Sequence, residues 1–329
     1  MARYMKIPLL LALLLFAGCK QSETAPAATG LFFRTITVDD LSRRYAIYIP
    51  ENAGHTSMPL ILVLHGGGGK IENMTGQTGK KSPYRLWMEI ADREKCIVIY
   101  PQAVDGPTGW PNWNDCRNNA PILPEVDDVK FLTTLMEETA KEYHTDADRV
   151  YVTGISNGGI MTLRLAAQVP QRLAAIATIS ASLPDSSECQ MPATPLSVLF
   201  MNGTADPMLP YNGGTIGNPP NPQHGTVLPV DSSVKIWMTL DHTDTVAQVK
   251  EYPDRDPGDG STVVRYTYDH GTNGTAVVFF KITGGGHTAP SIREQYSQLW
   301  LNYVGTQNHD IEMVEVIWDF FRDKKRVVR

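Results

Sequence analysis

One glycine-flanked serine, a run of four glycines and eight histidines are where chemistry could reside in this 329-residue chain. Residues 149–161 read RVYVTGISNGGIM, so that Gly154, Ile155, Ser156, Asn157 and Gly158 spell GxSxG between strand formers and helix formers. At such a strand-to-helix turn the glycines avoid side-chain clash and the serine takes a strained geometry, its hydroxyl exposed above the sheet. The plainer alternative is a small residue in a tight connection.

A serine nucleophile needs a base and an acid to orient it, and in one known chain order both follow the serine. His287 lies in KITGGGHTAP, a glycine-rich loop directly after the apolar run 277–282, where a proton carrier would have room to work. His224 falls in a long irregular stretch and His242, His270 and His309 in polar surroundings, so these read as surface residues. Asp206, in MNGTADPM, follows the apolar run 196–201, whereas Asp231, Asp241, Asp244, Asp254, Asp256, Asp259 and Asp269 occupy loop-like or charged stretches. Asp206 would fix the tautomer of His287; its plainer role is to form a turn before Pro207.

An oxyanion also needs donors. LVLHGGGGK places Gly66–Gly69 after His65, and backbone without side chains can aim amide N–H groups at developing charge. Gly67 or Gly68 would supply one donor and Asn157 the other. A phosphate-binding loop would need GK[ST] or GxGxxG, and here Gly69 and Lys70 are followed by Ile71. His65 shapes this loop and borders the substrate. Trp110 and Trp113 in GWPNWND offer either aromatic surface or buried packing, and Tyr211 follows the acid in a Gly-, Pro- and Asn-rich stretch, 211–230, that reads as a lid, a binding loop or a disordered segment.

These groups need a rigid scaffold. Apolar runs at 43–50, 60–65, 96–100, 149–153, 174–180, 196–201 and 277–282 are mostly continuous, as in strands covered on both faces. A helix is expected over 129–143, capped by Asp127 or Asp128, with others over 160–169 and 313–323. A hairpin-like pair is expected near 263–282. The alternation predicts an α/β fold, a doubly wound, mostly parallel sheet with helices on both faces, whose ligands bind at the carboxyl ends of the strands. Residues 253–261, PDRDPGDGS, lack the spacing of a calcium loop and read as a solvated turn.

A formal charge of −6 leaves no basic excess for nucleic acid. Residues 1–18 have the form of a lipoprotein-type signal, with Arg3 and Lys6 before an apolar stretch, and Cys19 is the expected lipidation site. Residues 19–30 read as a flexible tether and 31–329 as one catalytic domain. The chain is therefore expected to be exported and lipid-anchored to a bacterial membrane, or otherwise secreted, touching the membrane through that anchor alone. Besides Cys19 there are three cysteines and no zinc-like spacing. Cys96, in CIVIY, reads as a core thiol; Cys116 and Cys189, both in loop-like sequence, are the better pair for a disulfide. No metal or organic cofactor is implied.

Taken together, LVLHGGGG, VDDVKFL, RVYVTGISNGG, NGTADPMLPYNGG, DPGDGSTVVRYTY and ITGGGHTAP resemble, in order and approximate spacing, the polyhydroxybutyrate depolymerase and feruloyl esterase family of secreted α/β-hydrolases. The likeness runs from about residue 31 to the C-terminus. It implies the α/β-hydrolase fold and a triad of Ser156, Asp206 and His287. The chain departs from the family at Ala289, where a bulky aromatic is common, which would open the site. A cysteine pair that the family often carries near residues 240 and 270 is missing, and segment 291–312 is longer than usual. The implied activity is cleavage of ester bonds in a polymer, or of an acyl group linked to one, through an acyl-enzyme. The family also includes poly(aspartic acid) hydrolases, which would need Lys70, Lys80, Lys81 or Arg293 around the cleft. A reading from another class is a non-catalytic, polymer-binding surface lipoprotein.

Overall fold

The computed structural model describes residue 1 and residues 28–327, apart from 52 and 54–56. Cys19 and nearly all of the signal and tether lie outside the described residues.

Ten strands form one sheet: β1 (Gly30–Val38), β2 (Leu41–Ile49), β3 (Leu60–Leu64), β4 (Ile97–Pro101), β5 (Val150–Ile155), β6 (Ala175–Ile179), β7 (Ser197–Gly203), β8 (Gln248–Glu251), β9 (Thr262–Tyr268) and β10 (Val277–Thr283). Their spatial order is β1-β2-β4-β3-β5-β6-β7-β10-β9-β8. The six strands from β4 to β10 are parallel, and the antiparallel pairs β1/β2 and β9/β8 flank them.

Register explains why the central runs are apolar throughout. Ile99, Leu62, Val152, Ile176, Val198 and Val277 pair in one row across six strands and all enter the same core cluster. Side chains alternate across a strand, so the adjacent row, Val98, Ile61, Tyr151 and Ala175, faces the other core. Helices α2 (Asp128–Tyr143), α3 (Asn157–Gln168) and α4 (Val230–Asp241) cover the first face. Helices α1 (Trp87–Glu94) and α6 (Met313–Phe321) cover the second. A short helix, α5 (Gln298–Val304), precedes α6.

Of the two aspartates at the start of α2, Asp127 is the cap: its Oδ1 accepts the Lys130 N–H at 2.9 Å. Asp128 is instead fully buried, paired with Arg43 at 2.6 Å and accepting the Asn114 N–H at 2.7 Å. Chain order reverses direction across the sheet at β3, with β4 on one side and β5 on the other. Such a switch point opens a crevice at the carboxyl ends of the strands. No described helix is long and apolar enough to cross a membrane.

Candidate active site

Ser156 is the hinge between β5 and α3, with φ 56° and ψ −126°, a left-handed conformation that a serine adopts only under constraint. Its N–H donates to Ile179 O and its carbonyl accepts the Ile160 N–H, both at 2.9 Å. The neighbouring glycines permit the close packing that holds this turn. A Cβ on Gly154 would lie 2.4 Å from Gly158 O, and one on Gly158 2.3 Å from His65 O. The GxSxG spacing is therefore dictated by backbone approaching backbone.

Asp206 and His287 follow β7 and β10, neighbouring strands, and are hydrogen-bonded: His287 Nδ1 donates to Asp206 Oδ2 at 2.7 Å. The other carboxylate oxygen, Oδ1, accepts the N–H groups of Met208 and Leu209, each at 2.8 Å. Both side chains are largely enclosed, with exposures of 2% for Asp206 and 10% for His287. The two loops are tied directly, since Ala205 N–H donates to Gly285 O at 2.9 Å. The His287 loop is also pinned from outside, His287 N–H to Val304 O at 2.6 Å and Gly286 N–H to Thr306 O at 2.8 Å. Among the described hydrogen bonds none links Ser156 Oγ to His287; both stand on the carboxyl edge of the sheet, where catalytic hydrogen bonds often tighten once substrate is bound.

The glycine loop after β3 lies against the serine: a Cβ on Gly66 would be 3.3 Å from that of Ser156. Its two candidate donors differ. Gly68 N–H is taken by Pro111 O at 2.7 Å, so Gly68 does not supply the oxyanion donor. Gly67 N–H and Asn157 N–H have no acceptor among the described hydrogen bonds, and Asn157 opens the first turn of α3, where the helix dipole is positive.

His65 is 1% exposed and does not border the substrate. Its Nδ1 donates to Gly66 O at 2.7 Å, and its Nε2 accepts the Ala103 N–H at 3.1 Å. Burial lowers its pKa to about 4, so the ring is a neutral strut that shapes the glycine loop. Trp113 is likewise fully buried, its Nε1 donating to His65 O at 2.9 Å, and of the two readings of this tryptophan packing is the one realised. Trp110 is 62% exposed and lies beside Gly68. Tyr211 is half-buried; its hydroxyl donates to Asp231 Oδ1 at 2.6 Å and its ring stacks on Phe279, so it braces α4 against the sheet.

Sequence reasoning read Asn157 for its backbone alone and missed its side chain. Oδ1 accepts Trp113 N–H at 2.8 Å, while Nδ2 donates to Trp113 O at 2.9 Å and to Asp115 Oδ2 at 2.7 Å. The residue after the serine thus clamps the loop that carries Trp110 and Pro111. Cys116 is in the same loop and is bonded to Cys189, with Cα atoms 5.6 Å apart; Cys96 is a buried free thiol, as expected. Ala289 does not open the site. It is fully buried in the second core, and its carbonyl accepts Gln307 Nε2–H at 2.9 Å.

In the 253–261 turn, Asp256 and Asp259 meet His309 with ligand-type atoms all within 4.8 Å of one another. His309 Nδ1 is 3.1 Å from Asp259 and 3.5 Å from Asp256, Asp259 also accepts the His309 N–H at 3.0 Å, and His309 Nε2 is buried without a partner among the described residues.

The sheet, the switch-point crevice and the serine elbow define an α/β-hydrolase. A sequence model described as "Esterase PHB depolymerase" matches residues 43–208, about half of the chain, which belongs to that esterase family. NocK of Nocardia uniformis subsp. tsuyamanensis is 29% identical over 318 residues, covering 93% of this chain and 86% of that one. The bifunctional acetylxylan esterase/xylanase of Neocallimastix patriciarum is 25% identical over 262 residues, 78% of this chain but 33% of that enzyme. Among solved structures, the acetyl xylan esterase from Aspergillus awamori superposes with a TM-score of 0.51 at 18% identity, over 80% of this chain and 95% of that one.

Proposed function

We propose that residues 31–329 act as a serine esterase that works through an acyl-enzyme on an uncharged polymer ester or a polymer-linked acyl group. Ser156 attacks the carbonyl and His287 takes its proton and returns it to the leaving alcohol. Asp206 holds His287 with Nε2 free to accept, and the N–H groups of Gly67 and Asn157 receive the oxyanion. The observation that carries this reading is the 2.7 Å bond from His287 to an aspartate whose other oxygen is saturated by two backbone N–H groups. Such a carboxylate has one free task, to orient the imidazole.

Two features favour a neutral ester over poly(aspartic acid). Arg293 is spent on Glu89, one guanidinium nitrogen reaching both carboxylate oxygens at 2.8 and 2.7 Å, and exposed Trp110 beside Gly68 offers aromatic surface to an uncharged chain. Lipidation at Cys19 and export remain part of the proposal; replacing Cys19 by Ala should move the protein from the membrane fraction to the soluble one.

Ser156→Ala is expected to lower turnover of p-nitrophenyl butyrate by roughly a thousandfold or more with the fold intact. Retained turnover, or failure of the native protein to react with a fluorophosphonate, would leave the non-catalytic binding protein as the better account. Methyl ferulate, acetylated xylan, polyhydroxybutyrate and poly(aspartate) compared side by side would rank the substrates.

A further inference from the structure

A buried ion pair is bonded to the residue that supplies one of the two proposed oxyanion donors. Asp115 is 1% exposed and Arg117 5%. Arg117 Nε donates to Asp115 Oδ1 and Oδ2, both at 3.0 Å, Nη2 is 3.0 Å from Oδ2, and the Arg117 N–H donates to Oδ1 at 3.2 Å. The same Oδ2 accepts Nδ2–H of Asn157 at 2.7 Å. A carboxylate has enough acceptor sites to take the Asn157 amide and the guanidinium together.

Apolar residues of similar volume would hold these segments without the cost of taking two charges out of water, so the charges themselves call for a role. Standing alone, the Asp115 charge would oppose the negative charge that develops on the substrate during acyl transfer, because like charges repel strongly where water is excluded. Arg117 cancels it. The neighbouring cations are committed elsewhere: Arg164, on α3, donates Nη1–H to Asn114 O, and Arg43 pairs with Asp128. Among the described residues Arg117 is the one ion-pair partner of Asp115.

Arg117 also reaches outward. Its Nη1 donates to the carbonyl of His224, in the 211–230 stretch. Leu209, Ile216 and Val227, in and just before that stretch, pack with Ile160, one helical turn past Ser156, and with Ala181. Around Arg117 the chain is pinned again, Asn118 N–H to Ser186 O and Glu188 N–H to Cys116 O, both at 2.9 Å, next to the Cys116–Cys189 disulfide. One guanidinium thus joins the stretch packed on the first turn of α3 to the carboxylate that grips Asn157. We propose that Arg117 is a positioning residue of the acyl-transfer site, neutralising Asp115 so that the Asn157 N–H meets the oxyanion free of an opposing buried charge. This rests on the esterase reading of Ser156.

The test is kcat and KM for p-nitrophenyl butyrate, with a thermal melt showing each variant folded. Arg117→Met leaves Asp115 charged and unpaired. It is expected to lower kcat roughly thirtyfold with KM within about threefold, because the opposing charge acts on the oxyanion and not on the neutral bound ester. Adding Asp115→Asn to Arg117→Met removes the charge along with its partner and should raise kcat at least about fivefold over Arg117→Met alone; a pair that merely braced the segments would lose further. Arg117→Lys keeps the charge without the fork and should exceed Arg117→Met in kcat by about threefold or more. If Arg117→Met does not fold, the neutral double variant carries the test: kcat above about a tenth of native is expected, and a lower value in folded protein overturns the proposal. Native kcat in Arg117→Met, a raised KM in place of a lowered kcat, or no recovery in the double variant also overturns it. Ser156→Ala assayed alongside separates the two readings. Turnover retained there overturns the esterase reading and this one with it, whereas turnover lost there and kept at the native level in Arg117→Met overturns the role of Arg117 alone.

Discussion

Asp206→Asn changes one oxygen to NH2 at nearly constant volume, and the geometry around Asp206 makes the consequence calculable. The new amide has one acceptor oxygen. It can face the N–H groups of Met208 and Leu209, which now meet Oδ1 at 2.8 Å each, or it can face His287. Facing His287 would turn NH2 toward two backbone donors and leave both unsatisfied, at about 1–3 kcal/mol each, or roughly 2–6 kcal/mol together. The oxygen will therefore stay with the two N–H groups. The amide NH2 then donates to His287 Nδ1, which must become the acceptor, and the proton of the neutral ring moves to Nε2. An imidazole with a proton on Nε2 cannot accept one from Ser156. The productive orientation is populated at roughly one part in thirty to one in twenty-five thousand, so kcat should fall by that range while KM changes little. The assay is kcat for p-nitrophenyl butyrate from pH 6 to 9, with a thermal melt showing the variant folded. A fall of less than tenfold in a folded variant would refute the reasoning.

Two further perturbations test the supports of the site. Replacing Cys116 and Cys189 by Ala opens a loop of 73 residues, whose closure contributes roughly 4 kcal/mol in the chain-entropy account, so Tm should drop by several degrees; a Tm within one degree of native would contradict it. His65 has a folded-state pKa of about 4 against an ordinary 6.5, so the unfolded chain takes up the proton first. Its contribution is complete above pH 6.5 and is lost as pH falls toward 4, roughly 3 kcal/mol in all, and His65→Gln should flatten the change in urea midpoint between pH 7 and pH 4.5. An identical pH dependence in both proteins would count against the buried neutral ring.

The parallel centre of the fold was legible because strands covered on both faces must be apolar throughout. The runs at 149–153, 174–180 and 277–282 became β5, β6 and β10 with ends shifted by at most two residues. The two edge strands, β1 and β8, were harder to read than β2 and the hairpin of β9 and β10. β1 is half exposed in alternation, and LFFRTITV does not stand out as a buried run beside the tether-like residues before it. Helix α5 was passed over because it is only seven residues long and its apolar residues, Leu299, Trp300, Leu301, Tyr303 and Val304, spread over more than half of its circumference, so no periodic stripe marks it. Ser156, Asp206 and His287 could be chosen because each ends or follows an apolar run in a required order. The choice between Gly67 and Gly68 could not, since it depends on Pro111, more than forty residues away. Likewise the aromatic motif GWPNWND does not say which tryptophan is buried; the hydrogen bond from Trp113 to His65 O decides it.

Asn157 joins two tasks in one residue. Its backbone N–H faces the place proposed for the oxyanion, and its side chain grips both the N–H and the carbonyl of Trp113. A change at this position would relocate the loop bearing Trp110 and, through Pro111, the glycine loop as well. Laboratory evolution toward new esters should therefore leave position 157 untouched and gain its variation at well-exposed positions such as 110 and 299. A library built on that division would keep one half of the crevice as fixed tooling and let the other half be cut to the polymer.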